Sequence, residues 1–157
     1  MKTNIGISDK NRTGSVEILN RLLSDEFVLY TKTRNYHWNV KGTDFSELHK
    51  LFEAQYVELE GIIDEVAERS RSLGGNAVGT LKEYLGLTRL KEIPGNYPVA
   101  AKMISNLLAD HESIIRSLRE DLTAAAEKFG DMGTSDFLTG LMEQHEKTAW
   151  MLRSYLK

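Results

Sequence analysis

The chain has 157 residues, 41% hydrophobic and 27% charged, with a formal net charge of −3; this suffices for one well-packed domain and is not the composition of a disordered segment. It has no cysteine, which excludes disulfides, thiolate zinc sites and iron–sulfur clusters and fits a reducing compartment. No apolar run reaches the ~18 residues of a spanning helix and no basic-then-apolar leader opens the chain, so no membrane association is expected and the cytoplasm is.

Residues 1–13 read as a flexible N-terminal arm, and residues 14–157 as a single domain. The arm is the basic part of an acidic chain: Lys2, Lys10 and Arg12 stand against Asp9. These three residues are the candidate DNA contacts, although a solvated terminus is the simpler account of them.

Apolar periodicity then marks four long helices. The first runs from Gly14 to Val40, with Val16, Leu19, Leu22, Leu23, Phe27, Tyr30 and Tyr36 at three-to-four spacing, and Lys41-Gly42 breaks it. The second opens at Asp44, with Glu47 placed as a capping-box partner, and ends at Gly74-Gly75. Its stripe includes Phe45, Leu48, Phe52, Tyr56, Leu59, Ile63, Val66 and Leu73. A connection over residues 74–97 has room for one or two helical turns at Thr80 to Leu85. Pro98 suits the first position of the third helix, whose stripe runs from Val99 through Met103, Leu107, His111 and Ile114 to Ala125. Gly130 to Gly133 separates it from a fourth helix, Thr134 to about Tyr155. The expected fold is all-α: a four-helix bundle with a long crossover between helices 2 and 3 that carries a short extra helix, as in ferritin-like folds.

Chemistry concentrates on the second helix. His49 and Glu53 lie one turn apart on one face, and Asp64 and Glu68 repeat that spacing further along. From His49 to Asp64 is fifteen residues, about 22 Å along a helix axis. One subunit therefore cannot close a metal site with both pairs. Two antiparallel copies crossing near Val57 to Leu59 can, and a two-fold axis would make the arrangement twice. Imidazole with several carboxylates and no thiolate suits iron, manganese or zinc. Carboxylates also favour Fe(III) over Fe(II). The chain lacks any Glu-x-x-His motif, which argues against a di-iron centre inside one subunit. On spacing alone such pairs are most often solvated charges or local helix pairs. His111 reads as a core or interface histidine and His145, between Gln144 and Glu146, as an exposed-face or interface residue; neither is given a metal role.

The run His37-Trp38-Asn39-Val40-Lys41-Gly42, then Phe45, Leu48-His49, Phe52-Glu53 and Asp64-Glu65-Val66-Ala67-Glu68-Arg69 through Leu73-Gly74-Gly75, resembles the signature of the Dps family, dodecameric miniferritins. The likeness extends through Thr134-Ser135-Asp136 and His145-Glu146-Lys147 to Trp150-Met151-Leu152. The resemblance implies inter-subunit ferroxidase ligands: His37, His49 and Glu53 from one chain with Asp64 and Glu68 of its two-fold partner. Many family members have aspartate where Glu53 stands. The likeness implies a role for Trp38 in taking up stray oxidising equivalents, and for Asp131 and Asp136 in lining iron channels. It also implies a homododecamer built from two-fold dimers, which oxidises Fe(II), preferably with hydrogen peroxide, and stores the ferric mineral, with zinc as an alternative occupant of the site. Protection of DNA and the cell from oxidative damage would follow. The alternative reading is a nucleoid-associated protein that shields DNA by binding it, and a third is a structural shell with degenerate metal sites.

Overall fold

A computed structural model describes residues 3–156. Five helices account for it: α1 (Asp9–Asn39), α2 (Phe45–Ser72), the short α3 (Leu81–Leu87), α4 (Ala100–Thr123) and α5 (Met132–Ser154), with a five-residue π-helical turn, Ala124–Lys128, extending α4. There is no strand among the described residues.

Polar contacts set the directions of the helices. Arg12 near the start of α1 donates to the Leu73 carbonyl just past the end of α2, at 2.7 Å, so these two helices are antiparallel. Asn106 early in α4 donates to the Tyr36 hydroxyl late in α1 at 2.9 Å, and Asn11 donates to the Phe129 carbonyl at 3.0 Å; α1 and α4 are antiparallel as well. Arg153 pairs with Glu112 at 2.7 Å and Arg119 with Glu146, which makes α4 and α5 the second hairpin. The connection from α2 to α4 must therefore run the length of the bundle. It is fastened to α1 on the way: Phe27 stacks on Tyr84 of α3 at 4.3 Å, and Arg89 reaches Asp25 at 2.7 Å and Asp121 at 3.1 Å.

Leu19, Leu22 and Leu29 of α1, Phe52 and Val66 of α2, Leu107 and Leu118 of α4 and Leu138 and Leu152 of α5 are fully buried. Each such side chain contributes about 1.5–3 kcal/mol when removed from water.

The helix ends differ from the sequence expectation where tertiary contacts supply the cap. α1 begins at Asp9, not Gly14: the Ser8 hydroxyl accepts from the Asn11 amide at 3.3 Å, and Arg12 is clipped to α2. Residues 9–13 of the expected flexible arm are thus helical. Lys2 lies outside the described residues. α4 begins at Ala100, with Pro98 just ahead of it, and α5 at Met132, because Asp131 caps it. The extra helix runs from Leu81 to Leu87, opened by a capping box between Thr80 and Glu83. α2 ends as read, since Gly74 takes a φ of +82°, a left-handed cap that a side chain would strain.

Candidate metal centre

His37 sits in the last turn of α1 and His49 in the second turn of α2, on either side of a tight turn. Gly42 holds that turn at a φ of +122°, a value that glycine alone adopts without strain. The turn folds the two rings onto each other, with centroids 3.7 Å apart and planes at 21°. The hydrogen bonds are reciprocal: His37 Nδ1–H donates to the His49 carbonyl at 2.8 Å, and His49 Nδ1–H to the His37 carbonyl at 2.9 Å. A carbonyl can only accept, so Nδ1 carries the proton on both rings and the lone pair of each neutral imidazole lies on Nε2. This is the arrangement by which backbone oxygens fix the tautomer and orientation of metal-binding histidines. Phe45 stacks on His49 at 5.1 Å and Tyr56 packs edge-on to His37 at 5.2 Å. His37 is buried and His49 half-buried.

Glu53 follows one turn after His49, exposed. Asp64 and Glu68 are likewise exposed and lie far along the same helix. The structure therefore brings His37, His49 and the His49 face of α2 together, and leaves Asp64 and Glu68 apart from them. Among the described residues no group of three or more His, Cys, Asp or Glu side chains converges to hold a metal within one chain. No hydrogen bond or ion pair among the described residues occupies the three carboxylates. One subunit thus presents two separate groups of side chains on α2 and its approach, His37, His49 and Glu53 near the start of the helix and Asp64 and Glu68 toward its end.

Between those groups the surface of α2 is partly apolar, with Glu60 beside Val57 and Gly61. Val57 is 55% exposed; with Phe27, Tyr30, Gly61, Ile63 and Ala67 it lines an open groove of about 600 Å³. Arg34 lies over three rings at its rim, 4.8 Å from Tyr56, 5.3 Å from Trp38 and 5.5 Å from Tyr30, and donates to the Tyr30 hydroxyl at 2.6 Å. That hydrogen bond is the largest influence raising the Arg34 pKa. Trp38 is 64% exposed next to this cluster.

The two candidate channel aspartates are unlike each other. Asp136 is exposed on α5. Asp131 is 1% exposed, and its carboxylate accepts from the Thr134 amide at 3.0 Å, the Thr134 hydroxyl at 2.6 Å and Arg69 at 3.1 Å. Asp131 is thus engaged within the chain as the cap of α5. Of the candidate DNA contacts, Lys10 is exposed, whereas the Arg12 guanidinium is held by the Leu73 carbonyl and Asp9.

His145 departs from the reading as an exposed-face residue. It is 2% exposed and hydrogen-bonded to Glu26 and His111 in the bundle core. Glu26, 0% exposed, was not singled out by sequence reasoning. The signal was present: it continues the core stripe of Leu19, Leu22, Leu23 and Leu29.

The chain matches a ferritin-like domain over residues 16–157. It is 47% identical over 99% of its length to a low temperature-induced, uncharacterised protein of Nostoc sp., covering 87% of that protein. It is 40% identical over 90% of its length to DNA protection during starvation protein 2 of Bacillus anthracis, covering 95% of it. A Dps protein from Vibrio cholerae, described as a member of a broad superfamily of ferritin-like diiron-carboxylate proteins, superposes with a TM-score of 0.92 at 33% identity, over 100% of this chain and 98% of that one. No helix among the described residues is long and apolar enough to cross a membrane.

Proposed function

The chain belongs to the Dps family of ferritin-like proteins, and from that premise we propose that it oxidises Fe(II) at sites shared between two-fold-related subunits and stores the ferric product in a dodecameric shell. Iron is the substrate here, not a resident cofactor. The observation that carries the reading is the reciprocal His37–His49 clamp, which leaves two Nε2 lone pairs that no carboxylate among the described residues engages. Glu53 adds an oxygen donor from the same half. The partner's Asp64 and the partner's Glu68 complete the set when α2 crosses its copy over the apolar stripe.

Hydrogen peroxide is the preferred oxidant. Its two-electron reduction to water consumes two Fe(II) and two protons, so no hydroxyl radical is released. His37 and His49 hold the ferrous ion, and the hard carboxylates stabilise the ferric product. Trp38, exposed beside the site, takes up oxidising equivalents that escape the two-electron path. Asp136 lines the iron entry, and Asp131 behind it positions the start of α5. Glu53 keeps the carboxylate of the commoner aspartate on a longer stem. Zinc competes for the same donors. Protection of DNA follows from removal of peroxide and ferrous ion. Direct DNA binding as the main activity has little to stand on among the described residues, because Arg12 is spent on α2 and only Lys10 of the candidate contacts remains exposed.

Anaerobic Fe(II) added to the protein before hydrogen peroxide tests the proposal, with oxidation followed by the ferric absorbance. About half as many peroxides as irons should be consumed, and His49→Ala with Asp64→Ala should lower the initial rate at least tenfold. An unchanged rate in that double variant would remove the shared site.

A further inference from the structure

The bundle core holds a polar cluster remote from the proposed half-sites on the α2 face. Each long helix sends one polar side chain inward: Glu26 from α1, Gln55 from α2, His111 from α4 and His145 from α5, all at least nine-tenths buried. Nε2 of His145 lies 2.8 Å from Oε1 of Glu26, and Nδ1 of His145 lies 2.8 Å from Nδ1 of His111. Glu26, His145 and His111 thus form one hydrogen-bonded line through the core. Among the described residues no lysine or arginine pairs with Glu26. The nearby acids have cations of their own: Arg89 holds Asp25 and Asp121, and Lys32 holds Asp110. Glu112 and Glu146, next to the two histidines in sequence, pair with Arg153 and Arg119 outside the core. Beside the line is a cavity of about 10 Å³, with room for about one water-sized occupant. Gln55 and His111 border it, together with the exposed Glu58 and Gln144.

Counting protons along the line separates three states. With two neutral rings and an ionised Glu26, His145 donates from Nε2 to the carboxylate and accepts at Nδ1 from His111. Both contacts are then made, but an uncompensated negative charge is left in the core, which is costly. One added proton removes that charge and keeps both contacts. His145 then donates from both ring nitrogens, to Glu26 and to His111. The proton of His111 moves to Nε2, an atom with no partner within the chain, on a ring that borders the cavity with the equally unpartnered Gln55 amide. Whether the added proton rests nearer His145 or Glu26, the count is the same and the line is neutral. A second added proton would go to His111 and leave a net positive charge. Burial first, and the neighbouring His145 second, push the His111 pKa well down, which opposes that third state.

We propose that this line is a proton-coupled lock on the bundle: Glu26, His145 and His111 together keep one proton beyond two neutral rings and a carboxylate, and the four helices pack most firmly while that count holds. The unfolded chain has no such constraint. Its two histidines titrate near pH 6.5, so they carry almost two added protons at about pH 5.5, one at about pH 6.5 and almost none at about pH 7.5. Stability rises with pH where the unfolded state holds more protons than the folded one, and falls where it holds fewer. The line therefore adds stability as pH rises toward about 6.5 and removes it above, with the unfolding constant tending to a tenfold change for each pH unit on either side. The subunit has a built-in optimum near neutrality and loosens in both acid and alkali. Solvent protons reach the line from the seam between α2 and α5, at Glu58 and Gln144. The lock lies wholly within one subunit, and it stands whether or not the interface oxidises iron.

Neutron diffraction from deuterated crystals of the unsubstituted protein near neutral pD counts these protons directly. Three deuterons are expected: one on the Glu26–His145 contact, one bound to Nδ1 of His145 and one on Nε2 of His111. Two deuterons, with the one between the rings bound to Nδ1 of His111, would mean a bare carboxylate and overturn the proposal; four would overturn it too. In solution, Glu26→Gln removes the charge that holds the added proton. Its unfolding is compared with that of the unsubstituted protein at equal subunit concentration from about pH 5.5 to 8.5. Relative to the unsubstituted protein, the variant's folding constant should gain about tenfold for each unit of rising pH. A ratio that stays constant across that range also overturns the proposal. The neutron map needs no substitution, so a variant that fails to fold leaves the decision intact.

Discussion

Asp131 shows how a single buried carboxylate is made to stay charged. Burial acts to raise its pKa, but the Thr134 hydroxyl and amide, followed by the positive Arg69, outweigh it, and the net pKa falls below the ordinary 3.8. A folded-state pKa below the unfolded one means stability that is present above the unfolded value and lost as pH falls through the folded one. Asp131→Ala should therefore cost about 1–2 kcal/mol at neutral pH, the range for a lost helix cap. Thermal midpoints of the two proteins should differ fully above about pH 4 and converge below it. A gap that stays constant from neutral pH to pH 3 would mean that the charged carboxylate contributes nothing. In the His37–His49 clamp the partners fix orientation instead, since each side chain is held by a backbone oxygen of the other's residue.

Among the helices, α2 carries the two proposed half-sites, separated by a face that its own subunit does not cover. Gly61 lies on that face, and a Cβ built there meets nothing within 4 Å in the chain. In an isolated subunit Gly61→Ala should thus stabilise α2 by about 1 kcal/mol through helix propensity. A larger residue should do otherwise in the assembly: Gly61→Arg should leave helix content intact by circular dichroism while shifting the protein toward subunits in sedimentation. An Arg variant that sediments as the unsubstituted protein does would exclude this face as the two-fold contact. The long stripes of α1, α2 and α4 were legible as helices because a 3.6-residue period over many turns has no rival explanation. The starts of α1 and α5 were not, because beginning at Asp9 and at Met132 is supported by Arg12 reaching Leu73 and by Asp131 meeting Arg69, contacts between residues distant in sequence. That Asp64 and Glu68 share one face of α2 was legible from their spacing. The pairing of His37 with His49 depends on a turn, and spacing alone does not reveal it. His145 was misread because Gln144 and Glu146 flank it, whereas Leu141, Thr148, Ala149 and Leu152, its neighbours on the helix surface, all face the core.

For the whole molecule, the decisive property is that catalysis should be a property of pairs. A site that draws His37, His49 and Glu53 from one subunit and Asp64 and Glu68 from the other occurs twice in each two-fold dimer. Consider subunits with His49→Ala mixed, by unfolding and refolding together, with subunits carrying Asp64→Ala. In a mixed dimer one site receives both defects, and the other receives none: its histidine half comes from the Asp64→Ala subunit and its acidic half from the His49→Ala subunit. Each homogeneous variant should be nearly inactive in peroxide-driven Fe(II) oxidation. A one-to-one mixture that pairs at random should recover about a quarter of the unsubstituted rate, because half of the dimers are mixed and each restores one site of two. The recovery should rise and fall with the mixing ratio and be greatest at equal amounts. A site built within one subunit predicts no recovery at any ratio, since every chain would then carry its own defect. Mixing the variants after each has refolded separately should also give no recovery, provided the dimers do not exchange, and that control ties the restored activity to the crossing of α2 with its copy.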